Sequence, residues 1–392
     1  MITKEEYKER RKKLQDEINN QKLDAFLVSS EESIYYLTGV SYMPFERPFF
    51  IIFWSNDNPT FIVPALEKKH MRKSELGDVI DYWEFPSPSG IGWSDKLVKL
   101  LKKSSKLGVE PALRFDIAKV LDDFSPKPLP LVENLRLIKS ETEIKMLKRA
   151  SHYADILMSK IISTSYFGAS VLESFSQGRG VQTQVLKEGY FEPLTTNIVG
   201  ATWPAPFSSQ PHGIPDLGDK MGEGPLVTIS SARVNGYAAE VERTYFVKKP
   251  SEKNKKIYQD MLDARAKGFE KAKPGVKCSD LDKEIKKYLK DLGYEDYLLH
   301  RTGHGLGLGA HEGPWIAEGS KEILQENMVI SIEPGIYIPE TGGFRHSDTV
   351  LITKEGNESL TKYPDDLQSL TITALKPLKK IKGKIVRSVI GI

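Results

Sequence analysis

The sequence predicts an α/β N-terminal domain followed by an α+β domain. Three observations predict it. Over roughly the first 130 residues, strand-length apolar runs alternate with helical periodicity. A proline-rich stretch, Phe124-Ser-Pro-Lys-Pro-Leu-Pro-Leu-Val, then makes a natural boundary. Beyond it, long amphipathic helices alternate with strand pairs that look antiparallel. The 392 residues suffice for two domains of ordinary size. They are placed at 1–132 and 133–376, with 377–392 as a basic C-terminal tail.

Residues 4–21 have helical periodicity and many charges. Leu23-Asp-Ala-Phe-Leu-Val-Ser reads as a buried strand. Phe49-Phe-Ile-Ile-Phe-Trp and Pro59-Thr-Phe-Ile-Val-Pro are two more, joined through a turn at Ser55-Asn-Asp-Asn. Lys106-Leu-Gly-Val-Glu is a further short strand. After the boundary, Ser140 and Glu143 form a capping box that opens a long amphipathic helix. Residues 252–273 and 279–292 read as two more helices. Leu226-Val-Thr-Ile, Glu242-Arg-Thr-Tyr-Phe-Val, Met328-Val-Ile-Ser-Ile and Thr349-Val-Leu-Ile-Thr read as strands.

Composition excludes several function classes. A hydrophobic fraction of 39% with 28% charged residues suits a soluble globular protein. The balance of 56 basic against 53 acidic residues argues against a nucleic-acid partner. No apolar run approaches the length of a transmembrane helix, so no membrane association is expected. The charged start, Met1-Ile-Thr-Lys-Glu-Glu-Tyr-Lys, is not a secretory signal. The one cysteine, Cys278, sits in Gly-Val-Lys-Cys-Ser-Asp-Leu-Asp, which reads as a helix entry. It excludes an internal disulfide and fits a reducing cytoplasm. The tail, Lys376-Pro-Leu-Lys-Lys-Ile-Lys-Gly-Lys-Ile-Val-Arg, reads as a solvated basic terminus.

Five of the seven histidines fall between residues 212 and 346. The densest run is His300-Arg-Thr-Gly-His304-Gly-Leu-Gly-Leu-Gly-Ala-His311-Glu-Gly-Pro. Imidazoles clustered among glycines point to a reaction centre rather than a core. The acids that accompany them are Glu240, Glu242, Glu312, Glu333 and Glu340. Glu240 and Glu242 are two apart on an expected strand and share one face. Glu333 follows four apolar strand residues and, if buried, must be paired or ligating. A metal centre, a metal-free active site and a vestige of either all remain open on these residues alone.

Seven stretches in order carry a family resemblance. They are Tyr36-Leu-Thr-Gly, Leu135-Arg-Leu-Ile-Lys-Ser-Glu-Thr-Glu-Ile, Pro211-His-Gly-Ile-Pro, Asn235-Gly-Tyr-Ala-Ala-Glu-Val-Glu-Arg-Thr-Tyr-Phe, the His300 run, Glu333-Pro-Gly-Ile-Tyr-Ile-Pro and Gly342-Gly-Phe-Arg-His-Ser-Asp. Together they span essentially the whole chain. The chain resembles the pita-bread family of Xaa-Pro dipeptidase (prolidase), aminopeptidase P, methionine aminopeptidase and creatinase. The resemblance implies a pita-bread second domain. It also implies five ligands for two divalent metals, in the order Asp, Asp, His, Glu, Glu. Here those positions carry Ile229 (Ser230 with a one-residue slip), Glu240, His304, Glu333 and Ser347. Two carboxylates are lost.

Creatinase, which shares the fold and uses no metal, supplies a second set of matches. His212 matches its catalytic histidine and His311 its second histidine. Glu242 matches a substrate-binding glutamate where the peptidases usually carry threonine, and Glu340 matches another. Phe45 and Arg47 match residues that reach the partner subunit's site. Ala317 stands near the place of a creatinase substrate arginine, which counts against creatine itself. The first expectation is therefore a metal-independent hydrolase of C–N bonds in a small amide, guanidino or Xaa-Pro-like substrate. In it His212 is the acid/base and His311 stabilises the oxyanion. Glu242 and Glu340 hold an N–H-rich substrate, while Phe45 and Arg47 meet its carboxylate across a homodimer. That reading needs no cofactor. The first alternative is an Xaa-Pro dipeptidase with a single Mn, Co or Zn at Glu240, His304 and Glu333. The second is an inactive module that binds a peptide or protein.

Overall fold

The computed structural model describes residues 2–102 and 105–391. The chain forms two compact units, Met1–Arg136 and Leu137–Ile392. The division falls just past the proline-rich stretch, within the short helix that follows it.

The first unit is built on a six-stranded mixed sheet. Its strands are β1 (Ala25–Val28), β2 (Phe50–Trp54), β3 (Thr60–Pro64), β4 (Asp78–Tyr82), β5 (Leu107–Val109) and β6 (Lys127–Pro128). They lie in the order β4-β3-β2-β1-β5-β6. The helices are α1 (Lys4–Asn20), α2 (Glu31–Thr38), α3 (Lys68–Met71), α4 (Trp93–Leu101), α5 (Phe115–Val120) and α6 (Leu131–Leu137). The apolar runs read from the sequence are buried strands at β1, β2 and β3, with only Trp54 at the end of β2 half-buried. They pack with Trp93, Leu97 and Leu101 of α4.

In the second unit, α7 (Glu141–Thr164) begins at the expected capping box. Ser140 Oγ accepts from the Glu143 N–H at 3.1 Å, and Glu143 Oε2 accepts from the Ser140 N–H at 2.9 Å. The shorter α8 (Val171–Phe175) and α9 (Gln177–Lys187) follow. Later come α10 (Glu252–Lys271), α11 (Cys278–Asp291) and α12 (Pro377–Ile390). The strands are β7 (Asn197–Trp203), β8 (Leu226–Val234), β9 (Tyr237–Tyr245), β10 (Gly303–Gly305), β11 (Glu312–Ile316), β12 (Val329–Ile332), β13 (Gly335–Ile338), β14 (Gly342–Arg345), β15 (Ser347–Ile352) and β16 (Asn357–Ser359). The main sheet has the order β11-β10-β12-β15-β9-β8-β7, and β13 pairs with β14 separately.

Asn235 and Gly236 join β8 to β9 with φ of 50° and 87°. Two residues at positive φ make the tight hairpin that right-twisted strands require, and Asn-Gly supplies it. This turn carries β9 back to Tyr237, five residues ahead of the strand start read from the sequence. One face of the β8–β9 hairpin packs on α7, whose Leu157, Ile161 and Ile162 share a core with Ala232, Val234 and Val241.

Candidate metal centre and active site

Strands β8, β9 and β15 lie side by side, and their register aligns the decisive residues. Ile229, Glu242 and Ser347 are direct neighbours in one row across the sheet. Ser231 pairs with Glu240 in the next row. Thr349 secures Glu240 through its hydroxyl, which accepts from the Glu240 N–H at 3.0 Å and donates to the Glu240 carbonyl at 2.9 Å. Ser230 faces α7 instead, donating to the Ala154 carbonyl at 2.7 Å. Strand alternation therefore puts Ile229, not Ser230, beside the carboxylates.

His304 is held by its two glycine neighbours. A Cβ at Gly303 would lie 2.1 Å from the Ser331 carbonyl oxygen, and one at Gly305 1.9 Å from that of Gly313. Only glycine permits strands this close. The His304 N–H donates to Ser331 Oγ at 3.0 Å. Its ring is oriented by the Gly305 carbonyl, which takes the Nδ1 proton at 3.0 Å. Nε2 is thereby turned toward Glu333 Oε1 at 3.3 Å and Glu240 Oε1 at 3.6 Å. It is buried there without a well-formed hydrogen bond. His311 stacks on His304 with ring centroids 3.8 Å apart. Ligand atoms of Glu240, His304 and His311 all lie within 4.8 Å of one another.

Burial and proximity set the charges. Burial, then repulsion from Glu333, pushes the Glu240 carboxyl up to about 7. For Glu333 burial acts in the same sense, but the His304 imidazole prevails and holds it at about 2. Burial would lower His304, yet Glu333 and Glu240 outweigh it and raise the ring to about 9. His311 goes the other way, lowered to about 4 by burial and by the neighbouring His304.

Among the described residues, the Glu240 carboxylate and the His304 and His311 imidazoles converge here, with Glu333 against His304 Nε2 and the Nδ1 proton of His304 bound to a backbone carbonyl. Metal-ligating histidines are prepared in this way, so the residues fit one divalent cation. They do not fit two. Ile229 brings no donor to its row, and the short Ser347 side chain is spent on Glu240 Oε1 at 3.0 Å. Glu242 is already occupied by Arg345. Arg345 Nη2 donates to Glu242 Oε1 at 2.9 Å, and its Nε faces the other carboxylate oxygen. Arg345 Nη1 donates to the Tyr337 hydroxyl at 3.1 Å. The Tyr337 hydroxyl is 2.7 Å from His300 Nε2, and His300 Nδ1 is 2.6 Å from the Arg301 carbonyl. A carbonyl only accepts, so Nδ1 carries the ring proton and Nε2 accepts from Tyr337.

Glu240, Glu242, His304, His311 and Glu333, all singled out from the sequence, come together. His212 is exposed in a turn between β7 and β8. Glu340 is exposed at the turn between β13 and β14, with φ of 60°. Phe45 and Arg47 belong to the first unit, where Arg47 pairs with Glu46 at 2.8 Å and Glu84 at 2.6 Å. The sequence reading missed Arg345 and Tyr337. The signal for Arg345 was Glu242 itself, since a buried carboxylate in place of threonine requires a cation. His346 turns away from the site, edge-on to Tyr258 at 5.2 Å, so it does not stand in for the carboxylate missing at Ser347. Cys278 is buried at the start of α11, and burial pushes its thiol up to about 12.

Comparisons with known proteins show the family. Residues 146–354 match metallopeptidase family M24, and residues 10–138 match the creatinase/prolidase N-terminal domain. An Xaa-Pro dipeptidase of Pyrococcus furiosus is 32% identical over 367 residues, covering 92% of this chain and 99% of the relative. A putative dipeptidase of Bacillus subtilis is 32% identical over 357 residues, 88% of this chain and 94% of the relative. Among solved structures, the prolidase of Pyrococcus horikoshii superposes with a TM-score of 0.77 at 31% identity, covering 92% of this chain and 99% of that one. The prolidase of Thermococcus sibiricus gives 0.81 at 28% identity, over 92% and 98%. The first expectation, a creatinase-like centre without a cofactor, finds no support among these relatives. The chain belongs to metallopeptidase family M24, a family of hydrolases, and carries a creatinase/prolidase N-terminal domain ahead of the peptidase domain.

Proposed function

We propose that the protein is a one-metal dipeptidase hydrolysing the amide bond of Xaa-Pro dipeptides. The observation that carries this reading is His304 Nε2, buried and aimed at Glu240 and Glu333 at 3.6 and 3.3 Å. The substrate class rests on the relatives named as Xaa-Pro dipeptidases.

Glu240, His304 and Glu333 hold the cation, with Mn, Co or Zn matching the donors. When bound, it supplies Lewis-acid polarisation of the scissile carbonyl. His311, held neutral at pH 7 by its lowered pKa of about 4, is available to accept a proton from the water that attacks the carbonyl carbon and forms the new C–O bond as the C–N bond breaks. His212, at the exposed edge, delivers a proton to the departing prolyl nitrogen. That nitrogen carries no hydrogen of its own in the peptide and leaves only once protonated. Arg345 and Tyr337 fix Glu242 and His300 in place and keep a cation beside the buried acids.

The test is metal analysis of the purified protein together with Xaa-Pro hydrolysis, with and without Mn or Co. One equivalent of bound metal per chain and stimulated hydrolysis are expected. A protein that retains no metal and gains no activity ends the proposal. His212→Ala is expected to lower turnover by about 10²- to 10⁴-fold, the usual range for a general acid–base group, while leaving metal content unchanged. Unchanged turnover removes His212 from the reaction. A homodimer is part of the same reading, and the mass in solution measured by light scattering decides it.

A further inference from the structure

Helix α12 lies beyond the residues matched by the family and takes no part in the site above. As sequence, this segment reads as a solvated basic tail. As structure, it is a helix opened by Pro377 in its first turn and closed by Gly391 at φ 83°. The segment 376–391 contains six basic residues and no acidic one.

The two faces of α12 are the reverse of those on an ordinary surface helix. Its inward face carries Gly383, Val386 and Arg387. Gly383 sits where a Cβ would meet Tyr166 and Glu173, and Arg387 is ion-paired with Glu173. Its outward face is apolar. Leu378, Ile381, Ile385 and Val389 recur every three or four residues and form one stripe, with side chains 57–81% exposed. Lys382 and Lys384 flank this stripe. A cavity of about 600 Å³ opens at the start of the helix. Tyr166, Phe167, Val247 and Leu375 give it apolar walls, and Lys249 and Lys380 bring positive charge to it. Two separate features thus pair apolar surface with positive charge.

We propose that α12 docks on an anionic lipid surface. The stripe enters the boundary between headgroups and acyl chains, and the flanking lysines meet lipid phosphates. The helix lies on the bilayer rather than crossing it. Fourteen residues make a helix of roughly 21 Å, shorter than the hydrocarbon core. Among the described residues, no helix is long and apolar enough to cross a membrane. Charge complementarity selects this occupant, since an uncharged bilayer would leave the lysine flanks unanswered.

Flotation of the full chain with phosphatidylserine-containing vesicles, against phosphatidylcholine vesicles, tests the proposal. Binding to the first and not the second is expected, weakening as salt rises. The pair Ile381→Ser and Ile385→Ser should lower that binding by about tenfold or more with the melting temperature unchanged. The pair Lys382→Glu and Lys384→Glu should do the same. Three outcomes overturn the proposal. One is no binding to anionic vesicles. The second is binding that survives both pairs of substitutions. The third is a fall in solution mass on loss of the stripe without any lipid binding, which assigns the face to a second copy of the chain.

Discussion

Exchange of His304 for alanine is expected to leave the protein without bound metal and to lower dipeptide turnover by about 10³-fold or more, the ~4 kcal/mol scale of a lost Lewis acid. The reason is local geometry. Glu240 and Glu333 are both buried, and Nε2 of His304, whose charge the two acids favour, is aimed at them at 3.6 and 3.3 Å. Without it two buried carboxylates that repel one another remain, and the simplest relief is protonation of one of them rather than cation binding. The measurements are metal content by mass spectrometry and turnover at saturating Mn or Co. His304 is packed against His311, so the melting temperature is read beside them. An alanine variant that is folded, metal-loaded and active removes His304 from the centre. The variant His311→Ala separates the two rings, because it should cut turnover while the metal remains.

The second large effect is on stability. Asp348 follows Ser347 and points to the opposite face of β15, where it is buried. Its carboxylate accepts from Arg243 Nη2 at 2.9 Å, Arg265 Nε at 2.9 Å and the Thr361 hydroxyl at 2.8 Å. Arg243 in turn donates to the carbonyls of Pro364 at 2.9 Å and Tyr363 at 2.6 Å. The network ties β9, β15 and α10 together directly beneath the metal row. Asp348→Asn leaves a buried guanidinium uncompensated and is expected to cost about 3–5 kcal/mol of unfolding free energy. The pH dependence is signed. Burial alone would raise the Asp348 carboxyl, but Arg243 and then Arg265 hold it below the ordinary carboxylate value. Its contribution is therefore complete above the unfolded value of roughly 3.9 and is lost as pH falls through the lower folded one. Denaturant melts should show a wide gap between wild type and Asp348→Asn at pH 7, closing in strong acid. An equal gap at both pH values would refute the ion-pair account.

What the sequence revealed and what it hid divide along sequence separation. The capping box of Ser140 and Glu143 was legible because both partners lie within one turn. The apolar runs of β1, β2 and β3 were legible because their burial is continuous. The resemblance put Ser347 at one family ligand position, and at the first such position it left the choice between Ile229 and Ser230 open. Only strand pairing resolves it, since a one-residue slip reverses every side chain. Arg345 was hidden for the same reason. Its partner Glu242 is 103 positions away in the chain, and no local pattern joins them. The guanidinium that Glu242 was expected to take from a substrate is supplied by the protein. The tail showed its basic composition in the sequence, but not which face of its helix would be left uncovered.

The Arg345–Glu242 pair has a consequence for how the enzyme meets its surroundings. A centre that draws two cations from solution depends on the square of their concentration while both are scarce. In the one-metal reading a single cation is drawn from solution, and the positive charge of Arg345 beside Glu242 is part of the chain. Activation by added metal should then follow a simple hyperbola rather than a sigmoid. The same protein should keep working in a metal-poor medium where a two-cation site would empty.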